Sequence, residues 1–408
     1  MEKRRIFIFA YYSLLDPIFQ SAVLPYFKNV GPANNIEFVL LTFEQSKYKL
    51  NRSESLKYLE ELKQDNIIWY QTNWRSGRFK IFKKVFDFIW GFVFAGFLCY
   101  RYKVKAVYTE GFPGAVISHY LSKFFKVPHL VHTFEPHADY MIEAGVWTSG
   151  SWEAKFLKKY EIIVAKGASY IFTATDAMIS KLRHLGVSGN IFRVPSCVDT
   201  EVFKFSQFHR DEVRKLLGVK DDECLITYLG KFGGMYMDEE IFEFMASCIK
   251  FSLNKIKFLV ITPDSHSHVY QSLDLNGIEK SKVTVLTLKR NEISAYLSAS
   301  DFGLVPVRQN PSKRFCSPIK DGEYWACGLP IIIPRGISDD YLFAKDKKIG
   351  IVLDEPCESS YIKVIKEVDF WLKNEPKNSI VDRCRSFAIS DRDIKPYKNL
   401  YSEIFLKL

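Results

Sequence analysis

Short apolar runs alternate along the chain with longer stretches in which apolar residues recur every three or four positions. In the first half these runs cover residues 5–10, 34–41, 67–70, 106–108, 128–133 and 169–173, and a further strand is predicted to begin at Ile191. Runs of this length predict buried strands, and the stretches between them predict amphipathic helices. Because strands that alternate with helices are typical of parallel, doubly wound sheets, we expect an α/β fold.

A second set of alternating elements begins after residue 203, where the composition becomes polar. Its predicted strands cover residues 225–229, 257–262, 282–286, 302–307, 329–334 and 350–353. The 408 residues also exceed what a single core usually supports. We therefore expect one doubly wound domain over 1–203 and another over 204–385. The tail, 386–408, has an amphipathic helical pattern and is expected to pack back on the first domain.

One apolar segment raises the question of a membrane. It covers residues 85–100 (VFDFIWGFVFAGFLCY), contains Asp87, and is shorter than the ~20 residues that span a bilayer. We expect a helix buried in an α/β layer. Contact with an anionic membrane surface is the alternative, because five basic residues precede the segment: Arg75, Arg78, Lys80, Lys83 and Lys84.

The net charge of +10 favours an anionic partner or membrane surface. Nucleic acid is not expected, since no basic tract is interleaved with aromatic residues. The eight cysteines are scattered without a CxxC pair or a zinc-like spacing, which indicates reduced core residues. The N-terminus runs directly into a predicted strand, so we expect a cytoplasmic protein, with peripheral contact on the inner face of the cell membrane as the alternative.

Polar residues follow the predicted strands of the first half. Ligands of parallel sheets bind beyond the carboxyl ends of the strands, which makes Ser13 and Glu110 candidates. The run HTFEPHADY adds His132, Glu135 and His137, with His137 the first choice for acid–base chemistry or a sugar hydroxyl contact. A helix cap is the structural alternative for either histidine. The HxxxxH spacing is not that of a usual metal pair, so no metal site is expected.

Residues 301–335 carry the chemistry of the second half, in a polar loop and short helix between two predicted strands. Lys313 and Lys320 would neutralise phosphate charge, and the helix N-terminus adds backbone donors. Glu323 would accept hydrogen bonds from two vicinal sugar hydroxyls. This combination predicts a site for a nucleoside diphosphate sugar.

A glycine-rich loop, GKFGGMY, follows the first strand of the second half. Gly230, Gly233 and Gly234 would let backbone N–H groups approach a phosphate, and Lys231 adds positive charge. The spacing matches neither a P-loop nor the GxGxxG fingerprint. The backbone from Leu288 to Arg290, around Lys289, is expected to border a nucleobase.

Four segments carry a family resemblance. They are SPIKDGEYWACGLPII (317–332), VPSCVDTEVF (194–203), YLGKFGGMY (228–236) and FEPHADYM (134–141). The chain resembles a GT-B glycosyltransferase of the family 4 type, as found in bacterial polysaccharide and lipopolysaccharide biosynthesis. The resemblance implies two Rossmann-like domains facing across a cleft.

The resemblance also implies roles for individual residues. Glu323 would bind the ribose, with Lys320, Lys231 and Lys313 on the pyrophosphate. The remaining donor-side residues would be Gly230, Gly233, Gly234, Lys289 and Ser317. His137, Glu135 and Lys320 would be catalytic, and Ser13, Glu110 and His132 would lie on the acceptor side. The implied reaction retains anomeric configuration and needs neither metal nor cofactor. It moves a sugar from a UDP- or GDP-linked donor to a glycan or lipid-linked glycan.

Two departures from the family pattern keep other functions open. Members commonly carry a second Glu eight positions before the one that binds ribose, and here that position is Phe315. The first loop, YYSLLDP, lacks the glycine pair found in many members. The alternatives are a nucleotide-sugar epimerase of the same fold and a non-catalytic partner that binds a sugar nucleotide.

Overall fold

The structure is a computed structural model that describes residues 3–75, 80–133 and 135–408. It divides into two compact units, Met1–Val194 with Ile394–Leu408, and Pro195–Asp393. The sequence pattern predicts this division after residue 203 and the returning tail from residue 386. In the structure the segment after Val194 belongs to the second unit, because Val198 N–H donates to the Arg392 carbonyl at 2.8 Å.

The first unit contains, within the described ranges, a sheet of seven parallel strands in the order β3-β2-β1-β4-β5-β6-β7. Its strands are β1 (Arg4–Ala10), β2 (Ile36–Glu44), β3 (Ile67–Asn73), β4 (Ala106–Glu110), β5 (His129–Thr133), β6 (Tyr170–Thr173) and β7 (Asn190–Arg193). The order reverses at β1, where Ile6 lies opposite Phe38 of β2 on one side and Ala106 of β4 on the other. The gap between β1 and β4 is therefore the switch point of a doubly wound sheet.

The helices of the first unit connect these parallel strands. They are α1 (Val30–Asn34), α2 (Arg52–Gln64), α3 (Lys80–Tyr102), α4 (Phe112–Phe125), α5 (His137–Glu143), α6 (Trp152–Gly167), α7 (Asp176–His184) and the C-terminal α16 (Ile394–Lys407). Between β1 and α1 the structure has two short helical turns, Phe19–Val23 and Leu24–Tyr26, instead of one continuous helix. Pro25 lacks the N–H that a continuous helix needs.

Helix α3 contains the apolar segment 85–100, and the prediction of a buried helix is wrong. One side, with Ala95 and Leu98, packs into the core of the first unit, whereas Ile89 and Phe97 on the other side are exposed. A helix on the face of a sheet buries only one side, and this sequence is apolar on both. In the described part of the chain, no helix is both long and apolar enough to cross a membrane. Arg78 lies outside the described residues.

The second unit contains a parallel sheet for which the described residues supply six strands, in the order β10-β9-β8-β11-β12-β13. They are β8 (Glu223–Leu229), β9 (Lys255–Ile261), β10 (Val283–Leu286), β11 (Phe302–Leu304), β12 (Ile331–Pro334) and β13 (Gly350–Leu353). Strand β11 is shorter than the predicted 302–307. The residues after it pair with the glycine loop instead: Met237 N–H donates to the Pro306 carbonyl at 2.7 Å, and Arg308 N–H to the Met235 carbonyl at 3.0 Å.

The helices of the second unit cover both faces of this sheet. They are α8 (Gln207–Leu216), α9 (Glu239–Phe251), α10 (His266–Leu275), α11 (Arg290–Ala299), α12 (Ile319–Ala326), α13 (Asp340–Asp346), α14 (Glu358–Asn374) and α15 (Lys377–Phe387). The cysteines are free thiols, and most of them are buried, as the sequence predicts. The expectation of a doubly wound α/β fold is confirmed for each unit by itself.

Candidate functional site

The switch point of the second sheet brings the glycine loop and helix α12 together. The loop follows β8, and α12 follows the loop after the neighbouring strand β11. Because these strands are parallel, their carboxyl ends lie at the same edge of the sheet, where ligands of such folds bind. The topology therefore places Gly230 and Lys320 side by side although they are far apart in the sequence.

Lys320 lies in the first turn of α12 and points at the glycine loop. Its Nζ is 4.1 Å from the centroid of the Tyr236 ring, and a Cβ at residue 230 would overlap it. Burial lowers the pKa of Lys320 to about 8, against the opposing effect of Glu323 and Asp321. Within the residues that the structure describes, Lys320 Nζ has no hydrogen-bond or ion-pair partner. It is a cation held in place and available to an anion.

Glu323 lies one turn further along α12 and is only 2% exposed. The Arg290 guanidinium, at the start of α11, approaches its carboxylate to 2.7 Å. Burial raises the pKa of Glu323, while Arg290 and Lys320 oppose the rise. Arg290 is exposed and also lies over the Phe203 ring at 5.0 Å. The sequence pattern pointed to the backbone around Lys289 and missed the Arg290 side chain, although its place at a strand-to-helix junction was a usable signal.

The glycine loop combines an unusual backbone conformation with an anchor to β8. Gly230, Gly233 and Gly234 all have positive φ angles, of 144°, 73° and 64°, which a side chain rarely tolerates. The Tyr228 hydroxyl donates to the Lys231 carbonyl at 2.6 Å, and so anchors the loop to β8. A Cβ at Gly234 would meet open space, so this part of the loop backbone is accessible to a ligand.

The other predicted donor-side residues have different surroundings. Lys231 and Lys289 are exposed, and Lys313 is buried in the turn Pro311–Phe315. Ser317 is occupied by contacts inside the unit, since its Oγ accepts from the Ser196 N–H at 3.1 Å and from Arg392. The structure thus assembles Gly230, Lys320 and Glu323, whereas Ser317 serves to position the start of α12.

A buried ion cluster supports α12 from within the second unit. Arg392, which is fully buried, pairs with Asp340 and donates to Ser317. Burial and then the neighbouring Asp340 raise the pKa of Asp321 well above its usual range. These groups come from three separate stretches of the sequence, and no local motif indicates the cluster.

In the first unit, Glu110 and His132 form a buried network with two tyrosines. His132 Nδ1 is 3.1 Å from the Tyr108 hydroxyl and 3.2 Å from the Tyr401 hydroxyl, and Tyr108 donates to Glu110 at 3.1 Å. Burial lowers the pKa of His132 to about 3 and raises that of Glu110 well above its usual range. His132 is therefore neutral at physiological pH, and the network ties β4 and β5 to α16.

Ser13 is also engaged in structural contacts. Its hydroxyl donates to the Phe43 carbonyl at 3.2 Å and accepts from the Gln45 N–H at 2.8 Å, which joins the loop after β1 to the end of β2. A groove of about 450 Å³ lies beside this junction. Its lining is mainly polar, with Glu44, Lys49, Gln71, Asn73, Arg75 and Trp90. This groove, which no sequence motif indicates, is an open polar feature of the first unit.

The start of α5 holds His137, with Glu135 two residues before it. The His137 ring is half-buried and lies 6.0 Å from the Tyr140 ring. The Glu161 carboxylate accepts from the Ala138 N–H at 2.9 Å, and burial raises its pKa to about 7. Glu161 was not among the sequence candidates. In the described ranges, no three His, Cys, Asp or Glu side chains lie close enough together to hold a metal ion.

Comparison with known proteins gives a clear result for the fold. No protein-family model matches the chain, and no curated protein matches it in sequence. Among solved structures, HepE from Anabaena in complex with UDP is 12% identical, covers 99% of this chain and 100% of its own, and superposes with a TM-score of 0.72. A glycosyltransferase from Rickettsia africae is 13% identical, with 100% and 99% coverage and a TM-score of 0.71. WaaG, a glycosyltransferase involved in lipopolysaccharide biosynthesis, is 14% identical, with 98% and 99% coverage and a TM-score of 0.66.

The chain has the GT-B fold. The fold expected from the four sequence segments is thereby confirmed, and the match extends over almost the whole chain rather than over one unit. At this level of identity the fold is what is shared. One GT-B scaffold carries many chemistries, so function has to be argued from the site itself.

Proposed function

We propose that the chain is a glycosyltransferase that uses a nucleoside diphosphate sugar as donor. The observation that carries this proposal is the pair on α12 at the switch point of the second sheet, the half-buried Lys320 and the buried Glu323. In this proposal Lys320 would contact the pyrophosphate, and Glu323 would accept from the ribose hydroxyls. The glycine loop adds backbone donors next to Lys320.

The chemistry follows from the charges that develop when the sugar leaves. As the glycosidic bond breaks, negative charge builds up on the diphosphate, and a preorganised cation such as Lys320 stabilises it. Glu323 pairs with Arg290 in the structure, and the exposure of Arg290 allows this pair to open when ribose hydroxyls approach. The binding energy of the nucleotide would thus position the bond that breaks next to Lys320.

The finer points of the proposal concern donor, stereochemistry and acceptor. HepE was also solved with UDP-glucose, which supports a UDP-linked donor, with GDP as the alternative. The role of WaaG in lipopolysaccharide biosynthesis supports a glycan or lipid-linked glycan acceptor. The proposed transfer retains anomeric configuration and uses positive side chains in place of a metal. His137 and Glu135 would contact the donor sugar or the acceptor.

A second candidate, a non-catalytic protein that binds a sugar nucleotide, rests on one residue. Phe315 is only 9% exposed and offers no carboxylate where enzymes of this kind commonly have one. Loss of that contact would weaken recognition of the donor sugar while leaving the nucleotide site intact. The two candidates therefore share nucleotide binding and differ in turnover.

Thermal unfolding in the presence of UDP, GDP, ADP or UDP-glucose tests nucleotide binding directly. A ligand at 100 times its Kd stabilises the folded state by about 2.7 kcal/mol. We expect one diphosphate to raise Tm and Glu323→Ala to remove the increase. Glu212→Ala, at an exposed position on α8, is the matched control and should keep it. If no nucleotide raises Tm, the proposal of a donor site at Lys320 and Glu323 is wrong.

Turnover then separates the candidates. Product analysis after incubation of the donor with lipid-linked and soluble glycans should show transfer of the sugar. Binding without transfer or donor breakdown would favour the non-catalytic candidate, and conversion of the free donor into its epimer without any acceptor would indicate an epimerase.

A further inference from the structure

Helix α3 exposes an extended apolar stripe on the first unit. Phe82 is 76% exposed, Ile89 61% and Tyr100 77%. Together with them, the stripe contains Val85, Phe86, Val93 and Phe97. Apolar residues of this size rarely gather on a surface without a partner. We call these seven residues the α3 face.

The spacing of these residues explains why the face is continuous. They recur at intervals of three or four along the 23 residues of α3, so they share one side of a helix roughly 34 Å long. The opposite side is occupied, because Ala95 and Leu98 are buried in the core of the unit. A helix that is apolar on all sides normally has both sides covered. In α3, the rest of the first unit covers one side, and the α3 face on the other side is exposed.

Two neighbouring helices extend the apolar surface. Helix α4 packs against α3 and exposes Tyr120 and Phe124, the latter to 75%. Helix α6 packs against α4 and exposes Trp152 and Phe156. The Tyr120 and Tyr160 hydroxyls are 3.0 Å apart and link α4 to α6. The exposed aromatic residues therefore lie on three adjacent helices of one unit.

The charges around the α3 face have a single sign. Helices α3 and α4 contain one carboxylate, Asp87, which is fully buried and paired with Arg75 at 2.6 Å. Both helices connect parallel strands, so they run in the same direction and end at the same edge of the sheet. Exposed basic residues gather at or just after these ends: Arg101, Lys103, Lys105, Lys123 and Lys126.

We propose that the α3 face docks on the surface of an anionic lipid bilayer, with α3 lying in the plane of the membrane. Its apolar side chains would enter the boundary between headgroups and acyl chains, and the basic edge would contact anionic headgroups. Tyr100, Tyr120 and Trp152 suit this boundary, since their rings are apolar and carry one polar group. This inference goes beyond the proposed function and does not depend on it.

Charge complementarity favours a bilayer over a second copy of the chain. Two copies joined through the α3 face would each bring an edge of uncompensated lysines and arginines, with no exposed carboxylate on α3 or α4 to pair with them. An anionic bilayer supplies the opposite charge along the whole edge. Trp90 and Phe94 of α3 also line the polar groove, so a bound bilayer would bring headgroups to its rim. Combined with the proposed function, this favours a lipid-linked acceptor.

Co-sedimentation of the full chain with vesicles tests the proposal. The probes are vesicles of phosphatidylglycerol and phosphatidylcholine in equal parts, and vesicles of phosphatidylcholine alone. We expect binding to the anionic vesicles that weakens as salt is added. The double variant Ile89→Glu/Phe97→Glu should lower the partition coefficient about tenfold or more, because it puts two charges into the apolar stripe. Leu275→Glu, at a residue of the second unit that is 86% exposed, is the control and should bind like the wild type.

Three results would overturn the proposal. One is the absence of wild-type binding to anionic vesicles, and another is unchanged binding by the double variant. The third is a dimer of the wild type in sedimentation velocity that the double variant dissociates, without vesicle binding by either protein, which would assign the face to contact between copies. Equal Tm values for wild type and variant are the check that the substitutions leave the fold intact.

Discussion

The two sheets of the molecule have the same parallel construction, yet the polar groups at their edges are used differently. In the second unit, Lys320 has no ion-pair partner among the described residues, and Glu323 is matched with an exposed arginine. In the first unit, Glu110 and His132 are joined through tyrosine hydroxyls in the interior. A polar residue directly after a strand thus marks a candidate site. Its hydrogen bonds and ion pairs within the fold decide whether a ligand can bind to it.

Burial explains the difference in charge. It lowers the pKa of His132 to about 3, so the imidazole is neutral at pH 7, and it raises the pKa of Glu110. Burial also lowers the pKa of Lys320, but only to about 8, because Glu323 and Asp321 oppose the shift. Lys320 keeps its positive charge near neutral pH. The edge of the second sheet therefore carries a positive charge that can bind an anion. The polar groups at the edge of the first sheet stabilise the fold instead.

The largest effect is expected for Lys320→Ala. Removing a preorganised charge that faces a developing anion lowers turnover by ~10²-fold or more. Release of nucleoside diphosphate at saturating donor is the measurement. Lys373→Ala, at an exposed lysine of α14, is the matched control and should behave like the wild type. Unchanged turnover in Lys320→Ala would remove this residue from the mechanism.

The pH dependence of kcat/KM tests the same role of the Lys320 charge. Since the pKa of Lys320 is about 8, its charge is lost as the pH rises through that value. The kcat/KM of the wild type should therefore fall above about pH 8. In Lys320→Arg, any residual activity should keep its plateau to higher pH, because arginine stays protonated there.

An intermediate effect is expected for Gly230→Ala. The new Cβ would overlap Lys320 Nζ, and residue 230 has a φ of 144° that alanine tolerates poorly. Displacement of the cation should weaken donor binding about tenfold, measured as the concentration dependence of Tm on the nucleotide. Gly218→Ala separates strain from site chemistry, since Gly218 also has a positive φ of 62° but no neighbour within 4 Å. Equal loss of affinity in both variants would argue against a specific contact.

The smallest effect is expected in the first unit, for His132→Asn. An amide can replace the Nδ1 contacts with Tyr108 and Tyr401 but does not titrate. Because the folded pKa is about 3 and the ordinary value is 6.5, the unfolded state binds more protons between these values. The stability that the neutral imidazole contributes at pH 7 is thus lost as pH falls below about 6.5.

Urea unfolding between about pH 6 and about pH 4 measures this effect. The free energy of unfolding of the wild type should fall relative to that of His132→Asn by roughly 1 kcal/mol per pH unit. His184→Asn, at an exposed histidine, controls for the introduction of an amide. Parallel pH dependences of wild type and His132→Asn would show that His132 is not held neutral by the fold.

The local sequence pattern was enough to predict the strands and helices and part of the candidate site. Apolar runs predicted the strands from β1 to β13, with ends that shift by a few residues. Lys320 and Glu323 are three positions apart on a helix, so their shared face follows from helical spacing alone. The pairing of Arg290 with Glu323 depends on the tertiary structure, because the two residues lie on different helices. The cluster of Arg392, Asp340 and Ser317 could not be predicted in this way either, because its members come from separate stretches of the sequence.

The sequence by itself determined the α/β alternation, the two-unit organisation and the α12 pair, since each rests on spacing along a single stretch. Tertiary structure decided which polar groups keep a charge and which apolar groups remain exposed. His132 is neutral because tyrosines and the core surround it, and α3 shows an apolar face because only one side of it meets the rest of its unit. Both properties depend on what lies opposite a side chain, and hydropathy along the chain does not contain that information.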